Sequence, residues 1–159
     1  MEVFDESQRL FRQAGMKNAG VSPVRPWLVT ALRQAAESTA ADERRRAALI
    51  RRARSVARQA SRRARFYRND LPHVLRERAL LAALRGRSRR AAALMARSLE
   101  VATLQGSQAE VLRTRAARGR IGASFGWTME TADGVAAAAE LETLTRAAAL
   151  DRRVDPTVS

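Results

Sequence analysis

The residues of this sequence that are best suited to binding chemistry are arginines crowded into positions 44–68. The segment contains 11 arginines and no acidic residue. A guanidinium can hold a phosphate or a carboxylate through two parallel hydrogen bonds. We therefore expect a basic surface for a polyanion or an acidic partner. Four of its arginines are spaced by seven and line one side of a helix, and two more extend it: Arg44, Arg51, Arg58 and Arg65, with Arg54 and Arg62.

Several ligands fit this surface, and so does an interpretation in which it binds nothing. It could bind nucleic acid through phosphates, face an acidic protein segment, or lie on an anionic membrane surface. Its predicted apolar face is mostly alanine, which inserts weakly into lipid, and no aromatic residues alternate with the arginines to stack on bases. The chain has 29 arginines, one lysine and a net charge of +14. A GC-rich coding sequence would give the same excess of arginine over lysine. A solvent-exposed face without a ligand is therefore also an interpretation of this segment.

Residue types that commonly perform catalysis are scarce. The chain has no cysteine and a single histidine, which excludes thiol nucleophiles and zinc fingers within it. The only lysine, Lys17, follows Met16, so no phosphate-binding loop can be written. Glu140 and Glu142 are two apart and do not face each other on a helix. We expect no enzyme activity, no catalytic residue, no bound metal and no cofactor.

Two weaker motifs have structural explanations. His73 precedes Val74 and Leu75, without the acid and the Thr-Pro pair of a histidine-kinase phosphoacceptor box, and a surface or packing role is expected. The sequence 119–122 has the G-x-x-G form of a nucleic-acid clamp, but that clamp needs strands. Small residues where helices cross explain it better. Trp27 and Trp127 are expected to anchor packing.

The rest of the sequence predicts the elements that carry these residues. Alanine, arginine, lysine, leucine and glutamate supply 89 of the 159 residues, a bias typical of long helices. Apolar residues recur at three- and four-residue steps. Glycines at 86, 106 and 126 are predicted to end helices, and Thr39, Ser88 and a Ser107–Glu110 capping box are predicted to begin them. We expect an all-α fold in which antiparallel hairpins stack as a thin, alanine-rich solenoid. The predicted helices are 2–14, 26–37, 39–68, 71–85, 88–106, 108–125 and 129–149.

The domain boundaries follow from these elements. The prediction is an N-terminal region of helices and a Pro/Gly loop over 1–38, a helical repeat region over 39–150 and a loose tail over 151–159. No apolar run approaches the roughly 18 residues of a membrane span, and the acidic start does not look like a secretory signal. A cytoplasmic location is expected.

Residues 71–150 resemble tetratricopeptide-like repeats. The resemblance rests on Gly86, on Ala91 five residues later and on Ser98 and Leu99 closing the second helix. The stretches 76–86, 97–102 and 125–127 look like the helical repeats that follow the ATPase module in large bacterial signalling ATPases and kinases of the STAND type. The resemblance implies a non-catalytic protein-interaction or regulatory module of a larger signalling protein. A basic nucleic-acid-binding protein that uses the 44–68 helix is the alternative.

Overall fold

The computed structural model describes residues 24–39, 41–66 and 68–154. Over these ranges the chain is built of α-helices with a short 3-10 helix before the third, and it has no β-strand. The expected all-α fold is confirmed for this part of the chain, whereas the predicted helix 2–14 lies outside it. Not one of the described helices is long and apolar enough to span a membrane. The helices are α1 (Val24–Ser38), α2 (Glu43–Arg63), α3 (Leu71–Ala83), α4 (Ser88–Leu104), α5 (Gln108–Phe125) and α6 (Thr128–Val154).

Three glycines end helices as the sequence predicted. Gly86, Gly106 and Gly126 all have φ between 64° and 72°, the left-handed region in which glycine avoids a Cβ clash. At Gly86 the turn is closed by the amide of Arg87, which donates to the carbonyl of Ala82 at 3.0 Å. The result is an abrupt stop that turns the chain back on itself within a few residues.

The predicted start of the second helix needs correction. The Thr39–Asp42 spacing suggested that Thr39 caps the helix, but the Asp42 carboxylate is the cap and accepts from the amide of Arg45 at 2.9 Å. The Thr39 hydroxyl instead donates to the carbonyl of Ala35 in the preceding helix. The helix also ends at Arg63 rather than at residue 68.

Two further capping predictions are wrong in detail. Ser88 is the first helical residue and Arg87 holds the cap position. Ser107 does occupy the cap of α5, but its side chain makes no cap hydrogen bond. The Glu110 carboxylate, expected to complete a capping box, accepts from Arg76 and Arg113 instead. Charged groups elsewhere in the fold therefore compete successfully with the local cap.

The six helices pack as consecutive hairpins. The most extensive helix–helix contacts join α1 to α2, α3 to α4 and α5 to α6. The hairpins also touch through their first helices, because α3 contacts both α1 and α5. Thr30 and Arg33 of α1 reach residues 73 and 77 of α3 in the same order, so α1 and α3 run in parallel. Helix α3 is consequently enclosed by helices on several sides.

Alanine makes up a large part of the core. Of the 22 buried hydrophobic residues in the described part of the chain, 11 are alanine. Larger side chains fill the remaining space, among them Leu32, Met95 and Leu112, which are fully buried. Small side chains allow the helix backbones to approach closely, as the composition suggested.

The closest approach joins α5 and α6. A Cβ built on Gly134 would lie 2.4 Å from the Cα of Gly119 and 2.9 Å from its amide nitrogen. A Cβ on Gly122 would lie 3.2 Å from the carbonyl oxygen of Trp127. The glycines of the 119–122 motif therefore serve helix crossing, as the sequence favoured, although Gly134, the partner glycine, was not anticipated.

Candidate functional sites

The predicted basic surface is present on α2 and just beyond its end. Five of the six predicted arginines are exposed, and Arg54 is half-buried. Arg65 follows the helix in the turn over residues 64–66, so it does not continue the helical row as predicted. Two of the six, Arg54 and Arg58, lie together in a cavity. The exposed five are Arg44, Arg51, Arg58, Arg62 and Arg65.

Arg54 and Arg58 line a cleft of about 110 Å³ between α2, α3 and α4. Four further arginines join them from α3, from the following turn and from α4. The described lining includes no aspartate or glutamate, and its apolar part is formed by alanine and leucine. We call this site the arginine cleft. Its lining residues are Arg54, Ala57, Arg58, Arg78, Leu81, Ala82, Arg85, Arg87, Arg90 and Leu94.

No acidic residue in the described part of the chain neutralises the positive charges of the arginine cleft. Over the described residues none of its six guanidiniums takes part in an ion pair; Arg78 donates to the Ser61 hydroxyl at 3.3 Å. Local desolvation and the charges of Arg54, Arg87 and Arg90 lower the pKa of Arg85. Burial and the charge of Arg90 lower the pKa of Arg78. A bound anion would relieve this repulsion.

A larger groove of about 670 Å³ lies on another side of α3. Residues of α1, α3, α5 and α6 line it, and we call it the central groove. Trp27 lies at one wall and is 49% exposed, so about half of the side chain is open to solvent. The opposite wall is apolar and runs along α6 through Val135, Ala138 and Leu141. Two of these are well exposed, including Val135 at 68%.

Charged side chains at the floor of the central groove are paired. The Arg33 guanidinium donates to Glu77 at 2.7 Å, and both side chains are less than 5% exposed. Arg33 also bonds Glu37 at 2.7 Å. Burial acts to lower the pKa of Arg33, but the hydrogen bond and charge of Glu77 outweigh it and raise that pKa. An unpaired charge here would carry a large desolvation cost.

A second ion-pair network joins α3 to α5. Glu110 accepts from Arg76 and, at 2.8 Å, from Arg113. Burial acts to raise the pKa of Glu110, but the charge and hydrogen bond of Arg76, with help from Arg113, lower it. The carboxylate is therefore ionised at neutral pH and connects two hairpins.

His73 is buried beside these networks. Its Nε2 lies 2.9 Å from the hydroxyl of Thr30, and its ring meets Trp27 edge to face at 4.8 Å. Burial, followed by the positive charge of Arg76, lowers the pKa of His73 to about 4. The histidine is neutral at pH 7 and 8% exposed. This agrees with the packing role that the sequence favoured.

Trp127 has the packing role that the sequence assigned to it. It is partly buried against the core, and its ring lies 5.3 Å from that of Phe125. The same end of α6 is held by Arg115, which donates to Asp133 at 2.9 and 3.0 Å. These contacts fix α6 against α5 and hold the apolar wall of the central groove in place.

Several residues of the two sites were not predicted from the sequence, although some of them lie in patterns that could have indicated a site. Four arginines surround Gly86: Arg85, Arg87, Arg89 and Arg90. A basic turn of this kind, next to a basic helix, could have indicated the cleft. Arg76 and Glu77 stand in helix α3, which is apolar apart from these two residues, His73 and Arg78, and charges in such a helix are a mark of burial. Their partners Arg33 and Glu110 lie 44 and 34 residues away, and no local pattern joins them.

The two sites offer charged and apolar side chains to a ligand. In the central groove the Thr30 hydroxyl lies 2.9 Å from Nε2 of the buried His73, and the described residues hold no group of three or more histidines and acids suited to a metal ion. Comparisons with family models, with curated proteins and with solved structures give no match for this chain. The two sites therefore have to be interpreted from their own geometry and charge.

Proposed function

We propose that this chain is a non-catalytic, tetratricopeptide-like module that binds a helical segment of another protein or domain in the central groove. The observation that carries the proposal is the groove itself, since helices of all three hairpins line it. Hairpin stacks use such surfaces for recognition. The resemblance to bacterial STAND-type signalling proteins suggests another domain of a larger ATPase or kinase as the partner.

The shape of the groove favours a helix as the ligand. Its α6 wall extends from Thr131 to Leu141, about 15 Å at 1.5 Å per residue. That length matches nearly three turns of an amphipathic helix, which would present apolar residues at three- and four-residue spacing. Val135, Ala138 and Leu141 offer a matching apolar row.

The charge of the groove favours an acidic partner. Arg113 and Arg120 line it and are exposed. Arg120 forms no ion pair with any described residue, whereas Arg113 is held by Glu110. A second copy of this chain is disfavoured as the ligand, because two molecules of net charge +14 repel each other. We therefore expect an amphipathic helix with acidic residues beside its apolar face.

A display library of acidic amphipathic helices tests the proposal. Selected peptides are titrated against the chain while tryptophan fluorescence is recorded. The Trp27→Phe variant gives the contribution of Trp127, which is subtracted to leave the signal of Trp27. Val135→Asp should weaken binding at least about tenfold, the loss of about 1.4 kcal/mol. Leu104→Asp is the matched control, since Leu104 is 79% exposed and does not line the groove. Failure to select any peptide, or equal binding by both variants, would contradict the proposal.

The second candidate is a basic helical nucleic-acid-binding protein that uses α2. It is favoured by the exposure of Arg44, Arg51, Arg62 and Arg65, which form no ion pairs within the described residues. Binding of random-sequence DNA and RNA should then weaken steeply with salt. Arg51→Ala with Arg65→Ala should reduce affinity more than Arg89→Ala with Arg120→Ala. Equal losses would indicate only the general positive field of the protein.

A further inference from the structure

The arginine cleft combines high positive charge with a partly apolar lining. Six arginines line a cavity of about 110 Å³, and Ala57, Leu81, Ala82 and Leu94 form the rest of its described lining. Apolar walls reduce the local dielectric constant, which strengthens each charge–charge interaction inside. An anion that enters the cleft is therefore attracted more strongly than one on the exposed face of α2.

The cleft is formed by tertiary packing rather than by one basic helix. Arg54 and Arg58 come from α2, Arg78 from α3 and Arg90 from α4. Arg85 and Arg87 extend from the turn that Gly86 closes. Because three helices and a tight turn hold these backbones, the six arginines line one cleft before a ligand binds. Such preorganisation reduces the ordering cost of binding.

The size and charge of the cleft select among anions. The cleft of about 110 Å³ is open to solvent on one side, so it can hold the charged part of a compact anion while the rest of the ligand extends outside. A single carboxylate brings one negative charge, too few for six guanidiniums. Two linked phosphoryl groups bring several charges in a compact volume, and their oxygens accept the forked hydrogen bonds of arginine. Duplex DNA places its phosphates along an extended backbone, so it cannot insert two of them here.

We propose that the arginine cleft is a binding site for a compact diphosphate, either inorganic pyrophosphate or the diphosphate group of a nucleotide. The site is separate from the central groove, because the two are lined by different residues of α3. It uses Arg54 and Arg58 of the predicted basic surface, with arginines of α3, α4 and the turn between them.

Isothermal titration of the whole chain with pyrophosphate, at constant ionic strength near the physiological value, tests this site. The cleft variant is Arg58→Gln with Arg85→Gln, and the control is Arg44→Gln with Arg62→Gln. All four arginines are exposed and free of ion pairs within the described residues, and each variant removes two charges. We expect one molecule of pyrophosphate per chain, at least about tenfold weaker binding to the cleft variant, and little change in the control.

The source of the diphosphate is distinguished by adding ADP in a second titration. Competition between ADP and pyrophosphate supports a nucleotide as the ligand, and binding of pyrophosphate alone supports the inorganic anion. Circular dichroism verifies that both variants fold before they are titrated. Equal weakening in the two variants would overturn the proposal in favour of a general field. So would undetectable pyrophosphate binding.

Discussion

Helix α3 lies between the central groove, where buried charges are paired, and the arginine cleft, where the described arginines have no acidic partner. At the floor of the groove, Arg33 and Glu77 are almost fully buried and bonded to each other. In the cleft, six arginines face one cavity and no described acidic residue lines it. Burial makes an unpaired charge very costly, whereas water screens exposed charges. The pairs of the groove therefore maintain the fold, and the unpaired arginines of the cleft are available to a ligand.

The largest effect should follow from breaking the buried pair of the groove. Glu77→Gln removes the charge that compensates Arg33, and we expect a loss of about 3 kcal/mol in the free energy of unfolding. Urea denaturation measures it. Glu100→Gln is the control, because Glu100 and Arg97 are both more than half exposed, and it should cost less than about 1 kcal/mol. Equal losses in the two variants would show that the burial of the pair has no special importance.

A smaller loss should follow from separating the helices that support the groove wall. Gly134→Ala places a Cβ against the backbone of Gly119, and such overpacking costs about 1–3 kcal/mol. Gly122→Ala meets contacts of 3.2 Å or more and gains helix propensity, so it should cost less. Thermal unfolding of both variants checks the order. The reverse order would contradict the close contact between α5 and α6.

The free energy of unfolding should also depend on pH through His73, which lines the central groove. Burial and Arg76 lower the pKa of His73 from 6.5 to about 4, so the unfolded state takes up a proton first as the pH falls. Its contribution to stability is complete above pH 6.5 and is lost between 6.5 and 4. From pH 7.5 to pH 5 we expect a loss of about 2 kcal/mol in the free energy of unfolding. His73→Gln should abolish this loss, and parallel pH profiles for the two proteins would contradict it.

The smallest effect on stability should come from substitutions in the arginine cleft. Without a ligand, Arg58→Gln with Arg85→Gln removes like charges that repel their neighbours. The melting temperature at low salt should then rise by about 1–3 °C, and the gain should disappear at high salt. Differential scanning calorimetry measures both conditions. A lowered melting temperature would show that these arginines support the fold, which would remove the contrast between cleft and groove.

Local sequence was sufficient to predict that the described helices exist, because the interactions involved are local. It did not predict all of their ends, since α2 ends at Arg63 instead of residue 68 and α6 continues to Val154, into the predicted loose tail. Gly86, Gly106 and Gly126 end their helices because each adopts positive φ. Apolar residues at helical spacing also indicated much of the core. Capping was harder to predict, because a cap competes with distant partners. Glu110 accepts a hydrogen bond from Arg76 instead of completing the cap of α5. Nothing in the local sequence indicates that this partner is preferred.

By itself, the sequence determined the all-α fold of the described residues, its alanine-rich core and the excess of arginine. These properties depend on residue type, short-range spacing and the bulk of side chains. The tertiary structure decided which arginines converge and which are neutralised. Arg33 pairs with Glu77, and Arg58 and Arg85 line the same cleft, only because whole helices bring them together. The paired groove and the unpaired cleft arise from that packing, since the cost of a charge depends on its surroundings rather than on its place in the chain.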